Sequence, residues 1–540
     1  MQDTSFLSSF IKTLNEWLTG PFFMFFLVSI SIFYTFYLGF PQVRYCVRSI
    51  KLLFGVEGPS SKEGDVSAFE VLSTSLAGSI GVGSITGVAI AVHIGGPSSL
   101  VWMWVIALIG MATRVAETAL SHFYREKSDG KMVGGPMYVM ERRLKMPFLA
   151  MIFSLGTVMV AFLAGNMPQI NTVASVLDFH WGFPKLWTGL ILSIVVGIVI
   201  IGGVERIAKV TSFLVPFMGF IYLMLVGYVL VINYDKIGEA FALIFRNTFR
   251  RAPAIGGFVG STVSVVVFRG FKCGFLTNEA GMGSTSISHC ASKESVSGRA
   301  AIMSMIEPFI ATCVLCTLTT LSILVSGSWQ EKVFHTFDRG ELMVVVSDDS
   351  SAERVRAHFY GEEKMPSFTG GIVVEEGLPQ DGELLFLHND SIAEGVMIEK
   401  HDVAFSGILS VVQGRIVAYD GMVVKGKSLL TGAKLALHTF ENNEWGWLTS
   451  LLMMLCLLLF ALSTVISCNY YGLNAVIYLL GKKYVSPYRV LYVICSFLGA
   501  IISATIIWEV AITACAMMAI PNLITLWYLR KEVKDIIKKA

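Results

Sequence analysis

Long apolar runs dominate the chain, and eleven of them, near residues 20–42, 67–96, 98–122, 147–168, 186–203, 208–233, 256–288, 300–326, 445–480, 488–506 and 508–529, are long enough to cross roughly 30 Å of hydrocarbon as helices. Bilayer-spanning strands would be about half that length and would alternate in polarity, so the pattern predicts helices. The first run, Pro21 to Phe40, follows a single basic residue, Lys12. It is too long for the apolar part of a signal peptide, which predicts a retained helix.

The pattern changes between about Gln330 and Asn443. There charges and glycines separate short β-branched runs such as Met343–Val346, Gly371–Val374 and Gly382–Phe386. Such runs predict a small β-rich soluble insert. The organisation expected is therefore an extra helix and loop in 1–66, five spans in 67–233, five more in 256–529 interrupted by the insert at 330–443, and a tail at 530–540.

Composition agrees with the pattern. The chain has 540 residues, 54% of them hydrophobic and 15% charged, and its mean hydropathy is +0.66; soluble domains are far less apolar. A net charge of +2 gives no ground for a nucleic-acid partner. The nine cysteines sit almost entirely in apolar runs, without the spacing of a disulfide framework or a metal site. Cys313 and Cys316 form a C-x-x-C with no second pair, and packing accounts for them.

Lysine and arginine gather in alternate loops: Arg44, Arg48 and Lys51; Arg125 through Lys145; Arg206 and Lys209; Lys293 and Arg299; Lys482, Lys483 and Arg489; and the tail from Arg530. The positive-inside rule makes these cytoplasmic, with the N-terminus outside and the C-terminus inside a cytoplasmic (inner) membrane. One loop dissents, since Arg246, Arg250 and Arg251 fall on the outer side, partly balanced by Asp235 and Glu239. The insert is then external.

Within the insert, Gly421–Ser428 reads GMVVKGKS and fits the phosphate-loop pattern G-x-x-x-x-G-K-[ST]. Such a loop must leave a strand and open a helix, and its interior here is β-forming rather than glycine-rich. A hairpin from Arg415–Ala418 through Asp420-Gly421 to Met422–Val424 explains the same residues.

Two membrane segments are interrupted by glycine: Ser75-Leu-Ala-Gly-Ser-Ile-Gly-Val-Gly-Ser-Ile-Thr-Gly87, and Phe268-Arg-Gly-Phe-Lys-Cys-Gly-Phe-Leu-Thr-Asn-Glu-Ala-Gly-Met-Gly-Ser284. Without the extra N-terminal helix they are spans one and six of ten. Glycine-broken helices at matching places of two five-span halves point to an inverted-repeat transporter, in which unwound backbone offers N–H groups to a carboxylate and C=O groups to a cation. Close packing through small residues is the alternative. The first reading makes Ser79, Gly81, Val82, Gly83, Ser84, Phe268, Gly270, Thr277 and Asn278 candidate substrate contacts.

These residues also carry a family resemblance. Ala77–Val88, His93–Pro97, Trp102–Trp104, Gly110–Glu117, Gly134-Gly-Pro-Met-Tyr138, Gly165–Gln169, Thr277-Asn-Glu-Ala-Gly-Met-Gly-Ser284, Asn469-Tyr-Tyr-Gly472 and Ala519–Leu523 resemble, in order, the signatures of the alanine/glycine:cation symporter (sodium:alanine symporter) family. The resemblance covers essentially everything outside the insert. It implies an all-α, leucine-transporter-like (LeuT-like) 5+5 inverted repeat with one added N-terminal helix, about eleven spans in all, plus the β-rich external insert. It further implies symport of small neutral amino acids such as alanine and glycine, usually with Na⁺ as the coupling cation, by alternating access, with no cofactor and no enzymatic chemistry. It places Gln169 and Cys468 in the substrate region. Ser463 and Thr464 would supply hydroxyls to a Na⁺ site shared with the carbonyls of Ala77 and Ile80, although Ser and Thr also bond back to their own helix.

Several positions depart from the family pattern. Gly-Thr-Gly-Asn-Ile becomes Gly81-Val-Gly-Ser-Ile85; Phe-Ile-Asp-Thr becomes Phe309-Ile-Ala-Thr312; the Trp before Tyr-Tyr-Gly is Cys468 and the Glu after it Leu473; Trp-Asp-Leu-Ala-Asp becomes Trp508-Glu-Val-Ala-Ile512. A carboxylate inside a membrane is costly and kept for function, so its loss predicts altered coupling or substrate choice. Cys for Trp at 468 predicts room for side chains larger than those of alanine and glycine. Arg114 and Glu117, three residues apart on one helix, are expected to pair, and Glu279, Gly281 and Gly283 to wire or gate the second break. Glu307 stands one turn from Ala311. Alternatives left open are a transport-deficient receptor that senses through the insert, and a H⁺-coupled or uncoupled carrier.

Overall fold

The computed structural model describes residues 20–54, 64–128, 130–246, 248–249, 262–337, 340–346, 352–359, 365–380, 384–389, 391–417, 421–502 and 504–540. The first half of the bundle contains α1 (Pro21–Tyr37), α2 (Ala68–Ser79), α3 (Gly83–Gly95), α4 (Ser99–Phe123), α5 (Pro147–Leu163), α6 (Met167–Trp181), α7 (Lys185–Ile200) and α8 (Gly203–Ile232). The second half contains α9 (Val263–Asn278), α10 (Ser297–Ser304), a π-helical stretch Phe309–Cys316, α11 (Thr317–Ser326), α12 (Gly432–Glu441), α13 (Gly446–Leu480), α14 (Val485–Ile501), α15 (Ala504–Tyr528) and α16 (Arg530–Lys538). Eight helical stretches among the described residues are long and apolar enough to cross a membrane, and α1 and α7 are shorter apolar helices beside them. The start of the expected span 256–288 lies outside the described residues.

Local sequence explains the ends. A capping box opens α2: Ser67 Oγ accepts from the Glu70 amide at 3.3 Å while the Glu70 carboxylate accepts from the Ser67 amide at 2.8 Å. Pro147 and Pro168 fall in the first turns of α5 and α6, where no N–H is needed. The span expected to end near residue 168 instead breaks at 164–166 and resumes as α6, ending at Gly182 with φ 63°. Polarity does not stop α6 because its polar residues find partners in the bundle: Asn171 Nδ2 donates to the carbonyls of Gly499 at 2.9 Å and Ile502 at 2.8 Å.

The basic loops gather at one end. A two-stranded hairpin, β1 (Glu126–Ser128) and β2 (Lys131–Val133), which the hydrophobic pattern did not show, lies there. The Asp65 carboxylate accepts from the Met132 amide at 3.1 Å, and Arg125 donates to the carbonyls of Cys290, Ser292 and Glu294. The tail is a docked helix: α16 buries Val533, Ile536 and Ile537, Arg143 pairs with Glu532 at 2.5 Å, and Arg48 donates to the Ala540 carbonyl at 3.1 Å. Of the dissenting outer loop, Arg250 and Arg251 lie outside the described residues.

The β-rich segment occupies the opposite end. It comprises β3 (Lys332–Phe337), β4 (Met343–Val346), β5 (Gly370–Glu375), β6 (Leu378–Pro379), β7 (Leu384–His388), β8 (Ser391–Ile392), β9 (Glu394–Lys400), β10 (Val403–Ala404), β11 (Gly407–Val412), β12 (Arg415–Ile416) and β13 (Met422–Leu429). Two antiparallel sheets, β6-β5-β11-β12-β4-β7-β8 and β10-β9-β13-β3, share one core around Val344, Ile372, Phe386, Ile398 and Leu409.

Two expectations are corrected here. The proposed hairpin through Gly421 does not form, and Asp420 of its turn lies outside the described residues. β12 pairs with β11 across a Gln413-Gly414 turn, where both residues have positive φ as a type I′ turn requires, while β13 belongs to the other sheet. GMVVKGKS is thus ladder strand from Met422 onward, with Lys425 paired to Glu399 at 2.6 Å, and its N–H groups are not a phosphate cradle. Nor does the polar segment end in soluble structure: Leu435, Ala436, Leu437 and Phe440 of α12 are buried in the same core as α3, α6 and α13.

Candidate substrate and cation site at the broken helices

The first break occupies Ile80 to Val82. The hydrogen bond from the Ile80 amide to the Leu76 carbonyl, 2.6 Å, is the last of α2, and helical bonding resumes from Ser84 to the Gly81 carbonyl at 3.1 Å. Gln169 of α6 reaches across: its Oε1 accepts from the Val82 amide at 3.0 Å and its Nε2 donates to the Ala164 carbonyl at 3.2 Å. Thr464 of α13 donates to the Ala77 carbonyl at 2.8 Å and also meets the Phe460 carbonyl at 3.0 Å. Glycine at 81 permits this approach, because a Cβ there would lie 2.6 Å from Thr464 Oγ1 and 3.0 Å from Gln169 Oε1.

With the Val82 and Ser84 amides engaged, the Gly81 and Gly83 amides have no acceptor among the described residues. Beside them is open space. A Cβ on Gly83 or Gly87 would meet nothing within 4 Å, and Gly83, Thr86, Gly87 and Ile90 form a partly accessible stripe, continued by Ile94, on a helix whose other residues are buried. Gly432 of α12 covers the stripe farther along, its Cβ position 3.1 Å from Thr86 Cγ2. Ser84 Oγ is buried without a partner among the described residues, and Ser79 Oγ bonds back to the Ser75 carbonyl at 3.2 Å.

Glu279 opens the second break with φ 53°, and Gly281 and Gly283 follow with φ 98° and 78°. Glycine suits both positions for a further reason. A Cβ at Gly281 would come 2.5 Å from Leu27, and one at Gly283 would come 2.7 Å from Pro136. Glu279 accepts from Ser284 Oγ at 2.5 Å, and the Asn278 side chain accepts from the Ala280 amide at 2.9 Å. Thr277 and Thr312 hydroxyls meet at 3.0 Å, so the π-helical stretch touches this break at the residue after Ala311.

A fully buried ionic knot ties the second break to α4 and α2. Arg114 pairs with Glu117 at 3.2 Å, as its spacing predicted, and also lies 3.7 Å from Glu307. It donates to the Asn278 carbonyl at 2.5 Å and to Thr285 Oγ1. Glu307 accepts from Ser75 Oγ and meets His289 Nε2, each at 2.5 Å; Asn522 Nδ2 bonds both Glu117 at 2.8 Å and the Gly281 carbonyl at 3.0 Å. Ser75, Thr285, His289 and Asn522 were not singled out from sequence. Ser75 begins the first glycine-broken segment and Asn522 falls in the Ala519–Leu523 signature, but neither carried a sign of its partners.

The remaining candidates fall elsewhere. Gly270 serves packing: a Cβ there would lie 2.5 Å from the Ser99 carbonyl. Phe268 is half-buried on the same helix. Ser463 Oγ turns to the Phe460 carbonyl at 2.9 Å and to Met218 Sδ at 3.6 Å rather than to Ala77. Cys468 is buried against the α5–α6 break, where a Cβ on Gly165 would fall 2.3 Å from its Cβ; backbone fills the space that a smaller residue at 468 was expected to open. Cys316 Sγ contacts the Ala311 carbonyl at 3.2 Å, and no group of three potential metal ligands occurs among the described residues. The side chains of Trp508 and Glu509 lie outside them.

Apolar helices with two glycine breaks, the first faced by a hydroxyl, carbonyls and two free amides and the second by hydroxyls and a buried ionic knot, define a polytopic membrane transporter. The chain belongs to the sodium:alanine symporter family, which it matches over residues 4–344 and 392–539; the unmatched residues 345–391 are only the middle of the polar segment. It is 32% identical over 523 residues to the sodium/alanine symporter AgcS of Methanococcus maripaludis, covering 96% of this chain and 94% of that one. It is 31% identical over 535 residues to an uncharacterized transporter of Haemophilus influenzae, covering 98% and 96%. A third relative, the transporter YflA of Bacillus subtilis, is 36% identical over 324 residues, 60% of this chain and 69% of that one. Membership makes cation-coupled amino-acid symport the class of activity.

Proposed function

We propose that the protein is a secondary symporter of small neutral amino acids such as alanine and glycine, driven by Na⁺ and working by alternating access of a 5+5 helix bundle with one added N-terminal helix. It sits in a cytoplasmic membrane with its N-terminus outside and the basic end inside. The observation that carries the reading is the first break, where two free amides, open space and the Thr464–Ala77 contact lie within a few residues of one another. The amides of Gly81 and Gly83 hold the substrate carboxylate. Na⁺ binds between Thr464 Oγ1 and the carbonyls of Ala77 and Ile80, the Thr464 hydroxyl turning its hydrogen away from Ala77 to offer a lone pair. Gln169 keeps the break open by occupying the Val82 amide. Proteoliposomes given an imposed Na⁺ gradient accumulate labelled alanine or glycine in this reading; accumulation only under a pH gradient replaces the ion, and binding without flux makes the protein a receptor.

A further inference from the structure

We propose that the β-rich segment is an outer latch on α3, in which the backbone carbonyl at the β7–β8 turn holds His93 and slows exposure of the stripe running from Gly83 to Ile90. The inference rests on the transporter reading for the meaning of that stripe and on the proposed topology for the side it faces.

The contact is specific. The Asn389 carbonyl lies 2.5 Å from His93 Nε2, two residues before the end of α3. Asn389 has φ 46°, a left-handed conformation that aims its carbonyl out of the sheet and that asparagine tolerates. Next to it, His388 is held by Ser428 of β13 at 2.6 Å, so both sheets brace the turn. β13 leads into α12, whose Gly432 covers Thr86 and Ile90. Together with α12 the segment grips α6: His335 of β3 meets the Phe179 ring at 6.3 Å between centroids, and from α12 Lys434 Nζ lies 5.2 Å over that ring and Glu441 pairs with His180 at 2.8 Å.

The segment therefore clasps α3 and α6, which are the two helices joined at the break by Gln169 and Val82. Any motion that separates them must first release the clasp. Asn389 belongs to residues 345–391, which fall outside the family match. The contact to His93 is thus made from outside the matched bundle, whereas His335, Ser428, Lys434 and Glu441 lie within the match.

The test uses the full-length protein in proteoliposomes, with Thr86→Cys as reporter and an impermeant thiol reagent added outside. Labelling is read above the background of the chain without the reporter. His93→Phe removes the donor. Asn389→Val acts independently from outside the bundle, because a β-branched residue resists φ 46°, and Asn389→Gly retains the turn. His93→Phe and Asn389→Val are each expected to speed labelling about two- to tenfold, the span that one hydrogen bond supports. Asn389→Gly should match the wild type, and Asn389→Val should add little to His93→Phe because the contact it breaks is already gone. Unchanged labelling in folded Asn389→Val, or fully additive effects in the double variant, overturns the latch. Should His93→Phe fail to fold, the Asn389 pair decides alone. Alanine uptake is measured in parallel: uptake with unresponsive labelling refutes the latch, whereas responsive labelling without uptake refutes the transporter reading and leaves the latch standing.

Discussion

Replacing Arg114 by methionine tests whether the buried knot holds the second break together. Arg114 is fully buried, and it serves two carboxylates, Glu117 at 3.2 Å and Glu307 at 3.7 Å, besides the Asn278 carbonyl. Methionine fills much of the volume but leaves the acids without a countercharge. Breaking a buried pair in this way costs about 3–5 kcal/mol, which at about 1.4 kcal/mol per tenfold lowers the ratio of folded to unfolded protein by roughly two to three and a half orders of magnitude. The lower end is expected, since Glu117 keeps Asn522 at 2.8 Å and Glu307 keeps both Ser75 and His289 at 2.5 Å. The assay is the fraction of detergent-solubilised protein that stays monodisperse after heating, with amino acid and Na⁺ held constant because both stabilise by binding. Adding Glu117→Gln and Glu307→Gln to Arg114→Met removes the unpaired charges and should restore most of the loss. An Arg114→Met protein that melts with the wild type, or a triple variant no better than the single, would refute the reasoning.

Gly83→Leu should fold and insert normally, since a Cβ there meets nothing within 4 Å, yet abolish amino-acid binding by filling the space beside the break; unchanged affinity in a binding titration would remove Gly83 from the site. Thr464→Val loses one hydroxyl ligand and should raise the Na⁺ concentration needed for half-maximal uptake by roughly ten- to a hundredfold, taking about 1.5–3 kcal/mol for a contact to a charge, and an unshifted Na⁺ curve would place the cation elsewhere. Cys468→Trp should lower thermal stability by about 1–3 kcal/mol through overpacking against Gly165, whereas a stable variant with a narrower substrate range would restore 468 as the size-setting position. Protease added outside intact spheroplasts should cut within 345–391 while α12 remains protected in the bundle; protection of 345–391 there, with cleavage in opened cells, would invert the topology.

Much of the bundle was legible because apolar length is a strong signal and little else satisfies backbone groups in lipid. The two breaks were legible for a related reason: glycines cluster at matching places of the two halves, and Gly81, Gly281 and Gly283 each occupy a place where a side chain would collide. Tertiary partners were not legible. Gln169 and Asn171 read as the end of a span, yet they lie inside α6 because Val82, Gly499 and Ile502 supply their hydrogen bonds. Likewise α12 follows a polar, β-rich stretch and is short, so its alternation of Leu435, Leu437 and Phe440 gave no hint that it packs into the core.

Cys468 shows why a single substitution is a poor guide to a pocket. The family comparison exchanges an indole for a thiol, and volume subtraction predicts an opening into which longer aliphatic side chains gain about 0.8 kcal/mol per methylene. The outcome depends on what lies across from the lost atoms. Here it is backbone: Gly165 sits at the α5–α6 break, where an added Cβ would be 2.4 Å from the Cys468 sulfur, so the space beside the thiol is already occupied. The open space lies instead on α3, beside Gly83 and Gly87, on a face set by helical spacing rather than by any family difference. From α12, Gly432, with φ 59° and Thr86 Cγ2 3.1 Å from its Cβ position, is the residue that meets this stripe.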